Sequence, residues 1–325
     1  MCIRDREDFG DLAAGTYSGG AIGNSTRGFK LGGYSPGISN AVHVFTFASK
    51  GDAVDDVNLA AVTAYPGEFS NEVRGVLAGN SHPGANNVIQ YITLTTTSDG
   101  QDFGDLSYTT LAPAGCASST RGIFCGGQTP SPNVNNIEFV TIMTKGDTTD
   151  FGDMTTTREQ HMACSNSTRA IFSGGKVSSM TNIIDFITMA STGNATDFGD
   201  MVVLRRSAQS CSNQTRGVMM GGIIPGTPNT DAIDFSTIAT TGNALDFGNL
   251  ATVSGNASGN AGSPTRGLCL GGTPSATGAA QFITIATTGD ASTFGDLNES
   301  QGNRGSCSNS VRAVSYTHLR AHETR

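Results

Sequence analysis

Apolar residues along this chain fall in short runs that are separated by clusters of Gly, Asn, Ser and Thr. In one stretch such runs occupy residues 163–165, 168–173 and 183–189, and a fourth surrounds Phe198. A Gly-Gly pair ends the second run, and a Gly-Asn turn precedes the fourth. Short runs bounded by turn residues predict β-strands, so this stretch predicts a sheet of four strands.

The third run of these stretches is apolar on both faces of the predicted strand. Residues 282–285, Phe-Ile-Thr-Ile, illustrate the pattern. A sheet with one wet face would instead alternate apolar and polar side chains. The pattern therefore predicts sheets that are packed between neighbouring sheets.

The arrangement recurs along the chain with a regular period. An arginine, usually preceded by threonine, marks each repeat, and the successive spacings are 47, 47, 48, 47, 50 and 46 residues. Units with such a period bury their apolar faces by stacking on one another. The marker arginines are Arg27, Arg74, Arg121, Arg169, Arg216, Arg266 and Arg312.

Two further markers keep the same period. A Gly-Gly pair follows most of the arginines, although the second repeat has Gly79-Asn80 there. A Phe-Gly-Asp triplet or a close variant begins the predicted fourth strand, and Val57 replaces its Phe in one repeat. The triplets end in Asp11, Asp105, Asp153, Asp200 and Asp296, with Asn249 in one repeat.

The order of these parts resembles the kelch motif, in which an apolar strand ends in Gly-Gly, a variable loop follows, and an aromatic residue lies in the fourth strand. The resemblance covers residues 7–313. It implies an all-β fold, a β-propeller of four-stranded blades around a central axis. The chain departs from the motif because Phe replaces the usual Trp and the Tyr after the Gly pair is mostly missing.

The amino-acid sequence of the repeats is also similar to that of kelch-like arrays in marine phage and environmental reading frames. The shared sequence pattern is Thr-Arg-Gly, then Gly-Gly, then Ile-Thr-Ile-Ala-Thr-Thr-Gly-Asn-Ala-Thr-Asp-Phe-Gly-Asp. This resemblance implies a phage structural protein, located in the virion and associated with the tail or a tail fibre.

Counting the markers gives six complete repeats and two leftover pieces. A fourth-strand piece lies at residues 8–13, and a first-and-second-strand piece lies at residues 301–313. The pieces can combine into a composite seventh blade, since ring closure removes exposed sheet edges; a truncation would leave the same pieces.

The two ends match none of the repeats. Residues 1–6 and 314–325 resemble translated sequencing-adapter read-through at the ends of metagenomic reading frames, and both are predicted to be artefactual tails. The propeller is therefore assigned to residues 7–313.

Composition supports this fold and excludes two kinds of partner. Of 325 residues, 43 are Gly, none is Trp and 14% are charged, a mixture suited to short strands and tight turns. The formal net charge of −8, with no basic stripe, argues against nucleic acid. No apolar run approaches the roughly 20 residues of a membrane span, so no membrane insertion is expected.

The marker arginines and the triplet aspartates are predicted to form structural ties within or between blades, because a repeat fold multiplies any such contact. A ring of ligand contacts is the alternative. Acidic residues at regular offsets, such as Asp147, Asp150 and Asp153, have the oxygen chemistry of a Ca²⁺ site. Asn or Thr replaces them in other repeats, and Asx turns explain them without a metal. We therefore predict no metal and no cofactor.

Four cysteines share one register, which Ile22, Phe69 and Ala261 occupy in other repeats. A position that accepts Ile, Phe, Ala or Cys is a packing position, and without a Cys-x-x-Cys pair structural zinc is not indicated. These cysteines are Cys116, Cys164, Cys211 and Cys307.

Patterns for catalysis are missing from the sequence. Outside the predicted tails the histidines are His43, His82 and His161, each in a different repeat. No Gly-x-Ser-x-Gly elbow places a nucleophile, and no His-Glu-x-x-His motif is present. We predict that the protein is not an enzyme.

Variable loops follow the Gly-Gly pairs, and loops on a rigid scaffold commonly carry binding. In a kelch-like blade these loops emerge on one face. Candidate contacts are Tyr34, His82, Gln128 and Lys176. The chain is thus predicted to be a non-catalytic structural or binding propeller whose loops contact a protein or a surface glycan. A bacterial surface adhesin or protein-interaction propeller is the alternative.

Tyrosines are the aromatic residues available for a sugar platform, since Trp is absent. Within residues 7–313 they all fall in the first half of the chain. They are Tyr17, Tyr34, Tyr65, Tyr91 and Tyr108.

Overall fold

Short antiparallel strands build the whole of the described chain. The computed structural model describes residues 9–13, 15–34, 37–80, 84–129, 133–226, 229–256, 261–273, 278–297 and 305–316. In these residues there are six four-stranded sheets, one two-stranded sheet and no helix that could cross a membrane. The sheets form six blades in a ring, so the predicted all-β propeller is confirmed.

The first three blades each place their strands in chain order, joined by hairpins. Blade 1 contains β1 (Gly20–Gly23), β2 (Arg27–Tyr34), β3 (Ile38–Thr46) and β4 (Val54–Asn58). Blade 2 contains β5 (Gly67–Ser70), β6 (Arg74–Ala78), β7 (Asn86–Thr93) and β8 (Gln101–Thr110). Blade 3 contains β9 (Ala114–Ala117), β10 (Arg121–Cys125), β11 (Asn136–Thr141) and β12 (Thr149–Asp153).

The next three blades repeat this order, and in blade 4 all four strands lie where the apolar runs predict them. Blade 4 contains β13 (Met162–Ser165), β14 (Arg169–Ser173), β15 (Ile183–Thr188) and β16 (Thr196–Asp200). Blade 5 contains β17 (Gln209–Ser212), β18 (Arg216–Met220), β19 (Ala232–Thr237) and β20 (Leu245–Asn249). Blade 6 contains β21 (Ala261–Gly262), β22 (Arg266–Leu270), β23 (Ala279–Thr284) and β24 (Ser292–Asp296).

The two-stranded sheet lies between blade 6 and blade 1. It contains β25 (Gly305–Ser308) and β26 (Ala313–Tyr316), so residues 314–316 of the predicted tail pair with β25. The first strands of the six blades and β25 contact one another in a closed cycle around the axis. Asn309 donates from its Nδ2 to Ser25 O at 2.9 Å, which joins this sheet to blade 1.

Complementary side-chain sizes let the blades approach closely near the axis. The side chains in the register of Cys116, Ile22 and Phe69 point toward the second strand of the neighbouring blade. That strand places Gly there in most repeats; a Cβ added at Gly217 would lie 2.8 Å from Cys164 Sγ. Where blade 2 places Phe69 in this register, it packs on the ring of Phe124 at 4.8 Å. This register is therefore a packing position, as the sequence predicts.

Backbone bonds between neighbouring blades form a second tie at the rim. In blade 3, Phe151 O and Asp153 O accept from Gly193 N and Ala195 N in the turn of blade 4, at 2.7 and 2.8 Å. The triplet glycine permits this approach, because a Cβ at Gly152 would lie 2.6 Å from Gly193 O. Its φ of +137° is also one that side chains other than glycine rarely adopt.

Candidate functional site

Two sets of loops share one face of the ring, which we call the loop face. One set follows the second strands, and the other links each blade to the next. Isolated bridges pair the two sets directly, as in Leu111 with Gln128 and Glu159 with Lys176. The hairpins between first and second strands lie at the opposite ends of these strands. The variable loops therefore emerge together, as expected from the sequence.

The four predicted contact residues differ in their exposure and in their contacts. Gln128 is exposed and bridges Leu111 and Asn133, and Lys176 is half-buried and bridges Glu159 and Met180. His82 lies outside the described residues. Tyr34 ends β2 and is half-buried beside Tyr17, which belongs to the loop before blade 1.

Tyr17, Tyr34 and Tyr65 form the aromatic cluster of the loop face, here called the tyrosine cluster. The rings of Tyr17 and Tyr34 meet edge to face, with centroids 5.3 Å apart. Tyr65 joins from the loop between blades 1 and 2, where its backbone N donates to Ser18 O at 2.7 Å. Tyr17 is 37% exposed and Tyr65 is 41% exposed, so both rings are accessible.

Electrostatics agree with this convergence. The pKa of Tyr17 is raised above its ordinary value of 10.0, first by partial removal from water and then by the phenols of Tyr34 and Tyr65. The Tyr17 hydroxyl is therefore a neutral donor at physiological pH. Aromatic faces with neutral hydroxyls suit contact with sugars and with protein surfaces.

The loop that carries Tyr65 is fixed by side chains from blade 2. Gln90 bonds both the N and the O of Ala61, at 2.8 and 3.0 Å. Asn80 accepts from Ala64 N at 2.9 Å and donates to Val62 O at 3.2 Å. Because the backbone is held on both sides, Tyr65 keeps a φ of +55° that few large residues adopt.

Asn80 gives a structural reason for the departure of the second repeat from the Gly-Gly pattern. This repeat has Gly79-Asn80 where most others have Gly-Gly, and the amide of Asn80 is what ties down the Tyr65 loop. The departure from the repeat pattern was visible in the sequence. Its connection with Tyr65 was not, because the contact depends on how two loops pair in space.

The other two tyrosines serve the interior. Tyr91 lies under the guanidinium of Arg74, 4.2 Å from the ring centroid, and its hydroxyl donates to Gln101. The Tyr108 hydroxyl donates to Gly126 O at 3.2 Å, and burial raises its pKa well above the ordinary value. Of the five tyrosines within residues 7–313, three therefore converge and two do not.

The marker arginines connect neighbouring blades through carbonyl groups. Arg169 lies over the ring of Phe186 in its own blade, at 4.6 Å, and donates to Ile238 O of the next blade at 3.0 Å. Arg74, Arg121 and Arg216 repeat both contacts. Arg27 is an exception, since its Nη1 is buried without a partner.

The triplet aspartates lie at the rim, away from these guanidinium groups. Their carboxylates are exposed, and the contacts they make to the next blade go through the backbone, as in Asp153 N to Asn194 Oδ1 at 3.1 Å. Asp105 N bonds Asp147 Oδ1 in the same way at 3.0 Å. Asp and Asn thus supply the same acceptor in these turns, so the bond needs an oxygen and no charge.

One cysteine and one histidine meet in the core. Cys125 Sγ lies 3.2 Å from His161 Nε2. Burial raises the pKa of Cys125 well above its ordinary value. Burial first, and then Arg158, lowers the pKa of His161 to about 3. The thiol and the imidazole are therefore both neutral, and they share a buried hydrogen bond.

Two buried ion pairs were not found by the sequence analysis. Arg158 Nη2 lies 2.7 Å from Asp185 Oδ2, and Arg205 Nη2 lies 3.0 Å from Asp234 Oδ2; these side chains are at most 1% exposed. Aligning the repeats would have revealed them, since both arginines occupy one register and both aspartates another. They hold the loops that join blades 3 to 4 and 4 to 5.

A cavity of about 470 Å³ lies on the axis and is lined mainly by the first strands. Glu68 lines it and accepts from Ala21 N at 2.9 Å, while Glu68 Oε2 is buried without a partner. Lys30, which is 1% exposed, approaches Gly19 at the end of β1, and its Nζ also lacks a partner. Among the described residues no group of three or more His, Cys, Asp or Glu side chains is arranged to hold a metal ion.

No protein-family model matches the chain, and no curated protein matches it in sequence. The assignment to the β-propeller fold therefore rests on the geometry described above. The kelch-like character of the repeats remains a resemblance of sequence.

Proposed function

We propose that the protein is a non-catalytic binding module that contacts a protein or a surface glycan through its loop face. The tyrosine cluster carries this proposal. It places two accessible aromatic rings on backbone that is fixed before any ligand arrives, and such prearranged contacts avoid the entropy cost of ordering a loop. Buried, neutral thiols and imidazoles in the core support a non-catalytic function.

The setting we propose is a phage particle, where the module would be a virion or tail-associated protein. The support is the repeat wording shared with phage reading frames. A bacterial surface adhesin is the alternative, and it would use the same face. Tail and baseplate genes beside the natural gene would favour the first setting, and secretion genes would favour the second.

The tyrosine cluster can be tested by binding of the labelled protein to an array of immobilised bacterial glycans and to bacterial cells. We expect Y17A and Y65N each to weaken binding about tenfold or more, as truncation of central aromatic contacts does. Asn is chosen at position 65 because Asn256 takes the equivalent left-handed backbone, with a φ of +47°.

The matched control is V202A, which shortens a side chain that is 56% exposed on another part of the loop face. It should bind as the parent protein does. Cell binding that is lost after periodate oxidation of the cells indicates a glycan, and loss after protease treatment indicates a protein. Binding that survives Y17A and Y65N would show that the cluster is not the contact.

A further inference from the structure

We propose that blade 1 carries a binding pocket for a small aromatic acid, a flat apolar ring that bears a carboxylate. The pocket is a cavity of about 290 Å³ beside Arg27. Arg27 begins β2 directly after the hairpin from β1, so the pocket lies on the side of the propeller opposite the loop face. The proposal is therefore independent of the tyrosine cluster and of the function proposed for it.

The other marker arginines show the first contact that Arg27 lacks. In blades 2 to 6 the guanidinium lies over an aromatic side chain in the third strand of its own blade, 4.2 to 4.7 Å from the ring centroid. Blade 1 has Val44 in this register, because Val44 pairs with Val54 as Phe186 pairs with Thr196. Arg27 therefore has no aromatic ring beneath its guanidinium. The rings in the other blades are Tyr91, Phe139, Phe186, Phe235 and Phe282.

Arg27 also lacks the hydrogen-bond acceptor. In blades 2 to 5 the arginine donates from Nη1 to the carbonyl just beyond the third strand of the next blade, as Arg169 does to Ile238 O at 3.0 Å. For Arg27 that place belongs to Leu94, since β7 ends at Thr93. No described residue accepts from Arg27 Nη1, which is buried. A bound anion would offset the cost of leaving this guanidinium without an acceptor.

The walls of the pocket combine an apolar surface with positive charge. Val44 is buried, and Val54 is 52% exposed in a register where the other blades have Gln, Thr, Leu or Ser. Among the described side chains that line the cavity, Arg27 and Lys50 are positive and Asp52 is negative. One Asp52 oxygen already accepts a backbone hydrogen bond. The two valines suit an apolar ring, and the excess of positive charge suits an anion.

The geometry of the other blades defines the ligand. There each guanidinium has an aromatic ring against its face, and in most blades it has an oxygen acceptor at its edge. One small molecule supplies both if a short linker joins its ring to its carboxylate, as in phenylpropanoate. Arginine stacks on aromatic faces and forms stronger hydrogen bonds with carboxylates than with neutral acceptors. The volume of about 290 Å³ is near the lower limit of natural ligand pockets and has room for one such molecule.

Titration of the intact protein with phenylpropanoate, followed by ligand-observed NMR, tests the pocket. We expect saturable binding with a Kd on the order of 1 mM, as is usual for so small a ligand. Propanoate lacks the ring and phenylpropanamide lacks the charge, so each should bind about tenfold more weakly or not at all. Equal binding of the three probes, or no saturable binding of phenylpropanoate, overturns the proposal.

Two variants locate the binding. V44F gives blade 1 the ring that blades 3 to 6 have, so it should abolish binding and raise the unfolding temperature by supplying a cation–π partner for Arg27. R27M removes the charge and should weaken binding about tenfold. R169M is the matched control, because its guanidinium is already occupied by Phe186 and Ile238 O. Its affinity for phenylpropanoate should equal that of the parent.

Binding that is unaffected by both V44F and R27M would place the probe elsewhere and would contradict the proposal. Because V44F copies the other blades, a loss of binding in this stable variant reports on the pocket even if R27M folds poorly. Y17A and Y65N should leave the affinity for phenylpropanoate unchanged, so a failure of the tyrosine cluster and a failure of this pocket are distinguishable.

One further probe identifies the source of the ligand. N-acetylphenylalanine presents the same ring and carboxylate as the C-terminal residue of a protein chain. If it binds as tightly as phenylpropanoate and is displaced by it, the pocket accepts a C-terminal aromatic residue. If the pocket excludes it, the ligand is a free aromatic acid.

Discussion

Lys30 is a charged residue in a position that the other blades fill with apolar side chains. Leu77, Phe124, Phe172 and Met219 occupy the same register. Burial lowers the pKa of Lys30 to about 8, partly opposed by the charge of Glu68. Glu68 responds in the opposite sense, since burial raises its pKa to about 7. Both groups are thus less stable when charged in the fold than in water.

Replacing Lys30 should therefore stabilise the protein. The folded pKa of Lys30 lies below its ordinary value of 10.5. Lys30 therefore costs no free energy of unfolding above pH 10.5, and the free energy of unfolding falls as the pH falls through about 8. At pH 7 the penalty is fully present and is about 3 kcal/mol, because the pKa falls from 10.5 to about 8. We expect K30M to recover this amount and to flatten the pH profile above pH 7, measured by urea unfolding.

E68Q is the companion variant because it changes the profile in a different window. The folded pKa of Glu68 lies above its ordinary value of 4.5, so its contribution is complete below pH 4.5 and is lost as the pH rises through about 7. E68Q should flatten that window and leave the alkaline one. A K30M profile that parallels the parent between pH 8 and 10.5 would contradict this account.

In blades 2 to 6 one buried polar residue of the third strand bonds the segment that arrives from the preceding blade. These residues are Gln90, Glu138, Asp185, Asp234 and Gln281; Glu138 bonds Ser107 in β8, and the other four bond the loop between the blades. The residue in the register of Arg158 changes with it. Blades with Gln in the third strand have Thr63 or Ser254 in the loop, whereas blades with Asp have Arg158 or Arg205. A change of residue in the third strand is thus matched by a change of residue in the loop of the same junction.

This compensation can be tested by converting one pair into the other. R158T and D185Q should each lower the free energy of unfolding by about 3 kcal/mol or more, because each leaves a buried charge alone. The double variant copies the Thr63 and Gln90 combination, and it should lose much less than the sum. Chemical denaturation of all four proteins gives the coupling energy. Additive losses would show that the pair is not a unit.

How far the elements were predictable depends on whether a feature repeats. The strands of blade 4 lie where the apolar runs predict them, because every repeat carries the same turn residues between its runs. The Arg158 and Asp185 pair was missed, since its residues are 27 positions apart and occur in only part of the array. The tyrosine cluster was also missed as a cluster. Tyr17, Tyr34 and Tyr65 come from different loops, and their meeting depends on the curvature of the ring.

Closure of the ring depends on contacts at the seam between β26 and blade 1. Arg312 donates to Phe47 O and Asn309 donates to Ser25 O, and both bonds repeat those between other blades. A closed ring gives each blade two neighbours and leaves no blade with a bare face. The seam thus uses two of the bonds that join the other blades, although the two-stranded sheet is narrower.

Weakening the seam should lower the stability of the whole ring. We expect the double variant N309A/R312A to lose about 2 kcal/mol, near 1 kcal/mol for each exposed or partly exposed bond, in thermal and urea unfolding. R206A, which removes an exposed bond to Gln160 on the loop face, is the control and should change little. An unchanged midpoint in the double variant would show that the ring does not rely on this seam.

The rim bonds have a consequence for how molecules of this protein behave in crowded solution. An outer strand with free N–H and C=O groups invites pairing with another chain, which is the first step of many kinds of aggregation. Here the turn of the next blade bonds to that strand at Phe151 O and Asp153 O. Each blade therefore shields the vulnerable edge of its neighbour, and a chain rich in β-structure can stay dispersed without long charged strands.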